Sequence, residues 1–221
     1  VNAYRSDLAQ LAGVLWKRWR LLEDRELYNL DSDPLQQTNI IDQHPEVVAK
    51  LRKRLTAWWD RVGTTANEEQ RIIIGTEHEN PTKLSGTEWL DVFIDQQRQI
   101  LKGSQKSGYW LIDVAQAGEY DIELRRWPKE ADGTISGTLP DGTGTALPIT
   151  HASLFVSGHN HMSIGKKRAY QFEGLTKRVR EVDKGAVFTM KLKKGPTALH
   201  TWFKGKDDTV LSAYYVYVTR K

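Results

Sequence analysis

The chain has 221 residues, of which 39% are hydrophobic and 27% charged, with a formal charge of +4 and no cysteine. The missing cysteine excludes disulfides, zinc–thiolate sites and thiol catalysis. No run approaches the roughly 18 apolar residues of a membrane helix, so no membrane partner is expected. Eight tryptophans exclude bulk disorder.

Residues 1–11 carry only a weak apolar pattern, at Leu8 and Leu11, enough for a short helix. The apolar run from Leu11 to Trp16 is too short for a signal peptide and lacks a cleavage pattern, so any leader of an exported parent is expected upstream. From Val14 to Leu21 the residues alternate, which predicts one strand covered on both faces. A turn at Asp24-Arg25 and a second, antiparallel strand over Glu26–Leu30 follow. Asp31 to Pro34 has turn chemistry, because proline drives the residue before it out of the helical region.

The spacing predicts an amphipathic helix from Pro45 to Val62. Pro45 costs nothing in a first turn, Glu46 suits the N-terminus, and Val47, Leu51, Leu55, Trp58 and Val62 draw an apolar stripe that Gly63 ends. Thr64 to Arg71 reads as a linker. Beyond it the texture is β: Arg71–Gly75, Tyr109–Val114, Tyr120–Arg126, Leu154–Ser157, Val187–Leu192, Leu199–Phe203 and Tyr214–Thr219 are strand-like. Breakers at Gly118, Lys184-Gly185, Gly195-Pro196 and Gly205 separate them. The expected fold class is α+β: a small antiparallel sheet with one amphipathic helix, then a mostly-β sandwich of jelly-roll type. Pro128 to Pro148 is a long Gly/Thr/Asp/Pro loop, either functional or disordered.

Basic residues gather late in the chain, at Lys166, Lys167, Arg168, Lys177, Arg178, Arg180, Lys191, Lys193 and Lys194. They make either a solvated face or a surface for polyanions. No helix-turn-helix, RNP or zinc-finger signature accompanies them, so nucleic acid is not the expected partner. Sulfated polysaccharide would be another polyanion for such a surface.

Several residues could carry chemistry. His159-Asn160-His161 would share a face in an extended segment, as a metal pair or simply as a polar hairpin. Glu77-His78-Glu79, with Asp91 and Asp95, could supply paired carboxylates for glycoside cleavage or merely end a strand. Asp141-Gly142-Thr143-Gly144 could contribute to a calcium site but lacks the spacing of an EF-hand loop. The aromatic residues weigh most, because apolar sugar faces stack on Trp and Tyr. Trp127 beside Arg125 and Arg126 at the mouth of the long loop, Trp202 beside His200 and Lys204, and Trp89 are the substrate-binding candidates. The competing reading places these tryptophans in the core, with arginine covering them.

The early segment resembles the closing part of the sulfatase catalytic fold. The residues that carry the resemblance are Trp19-Arg20-Leu21-Leu22, Glu26-Leu27-Tyr28-Asn29-Leu30, Asp33-Pro34, Asn39-Ile40 and His44-Pro45-Glu46-Val47. Gln37 or Gln36 stands where the family has Glu, and the match covers about the first quarter of the chain. Gly108-Tyr109-Trp110, Gly118-Glu119-Tyr120, Leu124-Arg125-Arg126-Trp127-Pro128 and Ala213 to Val218 resemble a β-sandwich module found behind the catalytic region of some bacterial arylsulfatase-like proteins. The resemblance implies a parent with a catalytic domain that uses calcium and a formylglycine made from a Cys/Ser-x-Pro-x-Arg motif. It also implies a periplasmic or extracellular location. In this chain the nearest approach to that motif, Ser32-Asp33-Pro34-Leu35-Gln36, ends in Gln. The chain is therefore expected to be inactive alone, without catalytic or metal residues or cofactors of its own. The expected organisation is a sulfatase-like subdomain over 1–63, a linker over 64–71 and an accessory sandwich over 72–221. The sandwich would support the missing catalytic domain and bind anionic or sulfated polysaccharide. The alternative is an autonomous carbohydrate-binding or purely structural module.

Overall fold

The computed structural model describes residues 12–66, 68–92, 94–157 and 174–221. The expectations for Leu8 and Leu11, for His159 and His161, and for Lys166, Lys167 and Arg168 fall outside these residues. The chain divides into two compact units, Val1–Glu69 and Gln70–Lys221.

In the first unit, β1 (Gly13–Trp16), β2 (Trp19–Leu22) and β3 (Glu26–Asn29) form an antiparallel meander in that order. The single strand expected from Val14 to Leu21 is thus a hairpin, folded at Lys17-Arg18 with Lys17 at φ 54°. The two-residue turn pairs Trp16 with Trp19 and Val14 with Leu21, so the apolar residues on either side of it share a face. Onto that face packs α1 (Pro45–Ala66), entered through a 3-10 turn at Ile41–Gln43. Trp19, Leu21, Leu27, Val48 and Leu51 are the core, flanked by Val14, Trp16, Ile40, Ile41 and Val47.

The helix departs from its expected form in two ways. Trp59, not Trp58, turns toward the covered side, and Trp58 is 48% exposed. Gly63 does not end the helix, which continues to Ala66. Glycine here makes room for the Trp59 indole one turn earlier, since a Cβ on Gly63 would lie 2.9 Å from that ring. Gly63→Ala should therefore yield none of the ~1 kcal/mol that alanine normally adds in a helix interior. A thermal midpoint unchanged or lowered is the expected result, and a rise of several degrees would contradict it.

The residues of the sulfatase resemblance have local structural work. The Asp33 carboxylate accepts from the backbone N–H groups of Thr38 (2.9 Å) and Gln37 (3.1 Å), which hold its pKa below the usual carboxylate value. Asn39 accepts from the Leu27 and Ile41 N–H groups and donates to the Arg25 carbonyl, tying β3 to the entry of α1. His44 lies against Trp19 with ring centroids 4.7 Å apart.

The second unit is a β-sandwich. Its smaller sheet runs β10 (Ala186–Leu192), β7 (Gly118–Arg125), β13 (Tyr215–Arg220), β5 (Thr82–Ser85), all antiparallel. The larger runs β4 (Ile72–Ile74), β6 (Tyr109–Val114), β11 (Gly195–Gly205), β8 (Ile149–Ser157), β9 (Leu175–Arg178), with β12 (Val210–Leu211) beside β11. A short helix, α2 (Gln97–Leu101), lies between β5 and β6 in sequence. Alternate residues of both sheets meet in one core, with Trp110, Ile112, Leu154, Leu199 and Phe203 from the larger and Tyr120, Ile122, Leu124, Phe188 and Val216 from the smaller. Gly195-Pro196, expected to break the chain, instead opens β11. Gly195 takes φ 114°, and Pro196 pairs with Asp113.

Candidate functional site

The long loop is folded rather than loose, and its organiser is Arg126. This side chain is fully buried, and its guanidinium donates to the carbonyls of Ile135, Gly137 and Thr145. Burial draws its pKa down to about 10. Trp127 supplies the loop's apolar centre. It is 2% exposed, its indole N–H donates to the Thr134 carbonyl, and Gly133 and Gly144 press against the ring so closely that a Cβ on either would collide. The Arg126 guanidinium sits 4.5 Å from the Trp127 centroid. As placed, the ring has no face open for a sugar. Arg125 is not its partner, because that side chain pairs with Glu123 at 2.9 Å and donates to the Trp127 carbonyl. Within the loop, the Asp141 carboxylate accepts from both the backbone and the hydroxyl of Thr143, which lower its pKa.

Trp89 is likewise interior. It meets Trp110 edge-on at 5.8 Å and Tyr214 at 6.1 Å, beneath Gly86 and Gly108. Tyr214 donates to the Ser104 carbonyl, and burial raises its pKa strongly. Among the described residues, no group of three or more His, Asp or Glu side chains converges as a metal centre.

The structure does bring Trp202 and His200 together, although each is 2% exposed, as buried as Trp127. Alternation along β11 sends Leu199 and Phe203 into the sandwich core and turns His200 and Trp202 to the opposite face of the larger sheet. Register then sets Tyr109 of β6 and Phe155 of β8 on either side of His200. The imidazole stacks with Tyr109 at 4.9 Å and 21° and with Trp202 at 6.0 Å and 17°, and Phe155 tilts against it at 5.9 Å. One step along the strands, Trp202 pairs with Ser153, whose hydroxyl meets that of Thr176 at 3.0 Å. A further step brings Lys204, His151 and Arg178 into one cross-strand row. Lys204 lies 5.8 Å from the Trp202 centroid, and burial lowers its pKa.

Two polar atoms on this face are buried without a hydrogen-bond partner among the described residues: His200 Nε2 and Ser157 Oγ. His200 is 2% exposed, and burial pushes its pKa down to about 4 against a small opposing pull from Asp91. The sequence flagged Trp202 as an aromatic residue beside His200 and Lys204. It missed Tyr109, Phe155 and Ser157 because cross-strand neighbours depend on register between distant segments.

No protein-family model matches the chain, and no curated protein matches it. Among solved structures, a ruminal GH26 endo-β-1,4-mannanase is similar, at 11% identity and a TM-score of 0.34, over 69% of this chain and 27% of that one. The CBM35 module of Cellvibrio japonicus Abf62 gives 12% identity and a TM-score of 0.32, over 65% of this chain and 90% of the module. A Xyl-CBM35 in complex with a glucuronic-acid-containing disaccharide gives 12% and 0.31, over 66% and 91%. The chain thus spans about a quarter of the mannanase, and TM-scores of this size leave its topology to be read from its own strands.

Proposed function

We propose that the second unit is a non-catalytic saccharide-binding β-sandwich, and that it binds at the accessible row of Lys204, His151 and Arg178, beside the buried rings of Tyr109, His200 and Trp202 and the half-buried ring of Phe155 on the same face of the larger sheet. The observation that supports this is the chemistry of that face. A sheet surface turned from the core is usually either solvated charge or plain apolar packing. Here it combines four rings, paired hydroxyls and two buried polar atoms without partners among the described residues. Rings and planar hydrogen-bonding groups are what a saccharide needs, and few other ligands need both. The row of Lys204, His151 and Arg178 favours acidic or sulfated polysaccharide among the candidates.

Calorimetric titration with cello-, xylo- and mannohexaose and with an oligogalacturonate tests the proposal, together with nitrogen-labelled indole spectra. Binding of at least one probe is expected, with the Trp202 indole signal moving and those of Trp127 and Trp89 staying in place. If none of the four binds at millimolar concentration, the proposal fails.

For the first unit, the sulfatase-like reading remains a second proposal. It is favoured by the way Asp33, Asn39 and His44 fasten the meander to the helix as one piece. A Cys/Ser-x-Pro-x-Arg motif encoded upstream of Val1 in the same reading frame would support it. A longer reading frame without that motif would overturn it.

A further inference from the structure

One flank of α1 holds charge of a single sign. Lys50, Arg54, Trp58 and Arg61 follow one another at spacings of four, four and three, so they line up along the helix, and all are exposed. A solvated helix face normally interleaves acidic residues at these spacings and gains from each pair. Here Glu46, spaced to pair with Lys50, meets His44 at 3.7 Å instead. Arg52, on the far side of the helix, is paired with Asp24. The cations of the stripe have no carboxylate in ion-pair contact among the described residues. Lys50 and Arg54 thus stand one turn apart with their repulsion unrelieved, a cost that an anion lying across them would remove.

The stripe continues onto the meander. Lys50 Nζ lies 3.9 Å from the Trp16 ring centroid and Lys17 Nζ 5.3 Å from it, at the end of β1. Trp58 is 48% exposed and leans on Trp59 at 6.1 Å, which steadies its indole in line between Arg54 and Arg61. From Lys50 to Arg61 the stripe extends about 16 Å, longer than a single small anion needs.

We propose that this stripe is a docking surface for a linear anionic polysaccharide. Its sulfates or carboxylates meet Lys50, Arg54 and Arg61, and one sugar face covers Trp58. The site belongs to the first unit and does not depend on the saccharide reading of the second. Two features set the occupant. The helix already buries its apolar side, Val48 and Leu51, on the meander, so it has no hydrophobic face to sink into a lipid surface. Nucleic-acid binders pair a strongly basic domain with repeated open rings for successive bases. Residues 12–66 hold nine Lys and Arg against eight Asp and Glu. Of the two rings on the stripe, Trp16 is already covered by lysine.

Titration of the full chain with a heparin-derived octasaccharide, followed at the Trp58 indole in nitrogen-labelled spectra, tests this at one site. The Trp58 signal should move, and the affinity it reports should fall steeply with added salt. With Lys50→Gln, Arg54→Gln and Arg61→Gln combined, the same movement should need about tenfold more octasaccharide, at a thermal midpoint no lower than that of wild type. A dT octamer and phosphatidylserine vesicles should move the signal only at higher concentration. Movement by either at equal or lower concentration overturns the proposal. So does a wild-type Trp58 signal that stays in place at millimolar octasaccharide, even where Arg178→Gln shows that the second unit binds.

Discussion

Arg126→Leu is expected to release the 128–148 loop and to lower the stability of the second unit by about 3 kcal/mol. The guanidinium is the common partner of three backbone carbonyls in the loop, at Ile135, Gly137 and Thr145. Leucine approximates its apolar volume but donates nothing. The buried Ile135 carbonyl left unpaired costs about 1–3 kcal/mol, the half-buried Gly137 carbonyl and that of the exposed Thr145 cost less, and removing a desolvated cation returns part of the loss. Without the tie, Gly133 and Gly144 need not stay against Trp127, and the segment should become cleavable by protease while the sheets persist. Denaturant midpoints together with limited proteolysis check this. An unchanged midpoint and a resistant loop would mean that Trp127 alone orders the segment.

The second large effect concerns acid. His200 is folded into a site where burial pushes its pKa down to about 4, against roughly 6.5 in an unfolded chain. Between those values the unfolded chain binds the extra proton, so stability falls as pH falls through that window. Two and a half units correspond to about 3 kcal/mol, present in full above pH 6.5 and lost by pH 4. His200→Phe keeps the contacts with Tyr109 and Trp202 and cannot titrate. Its stability should change less between pH 7 and pH 4 than that of wild type, by about the same 3 kcal/mol. Parallel profiles for the two proteins would show that His200 is not the group that charges.

Local pattern carried much of this fold, and its failures share a cause. Tyr120, Ile122 and Leu124, or Phe188 and Leu192, alternate plainly, and β7 and β10 lie where that alternation puts them. The Lys17-Arg18 turn was hidden because lysine in a left-handed conformation carries no turn signature in sequence. Gly63 was misjudged because the Trp59 ring that occupies its space is a tertiary fact, and Gly195-Pro196 because a proline can open a strand as well as stop one. For Trp127 the composition was ambiguous, since an aromatic ring between two arginines suits a ligand platform as well as a buried loop centre. The carbonyls that Arg126 collects from positions 135–145, and the closure of Gly133 and Gly144 on the ring, distinguish the two. Trp202 and His200 were visible as a pair, whereas their neighbours Tyr109 and Phe155 come from strands far away in sequence.

The position of β13 bears on how the second unit is made. It lies inside the smaller sheet, bonded to β7 on one side and to β5 on the other, and Asn80 ahead of β5 clamps the backbone of Arg220, 140 positions later. During synthesis at 5–20 residues per second, β5 therefore waits roughly 7–28 s for its neighbour. Through that interval Leu84, wholly buried once the sheet closes, belongs to a strand with no mate. A nascent chain stalled short of Tyr215 would expose that strand to other chains, so the hazard to this protein in the cell lies in slow or interrupted translation of β13.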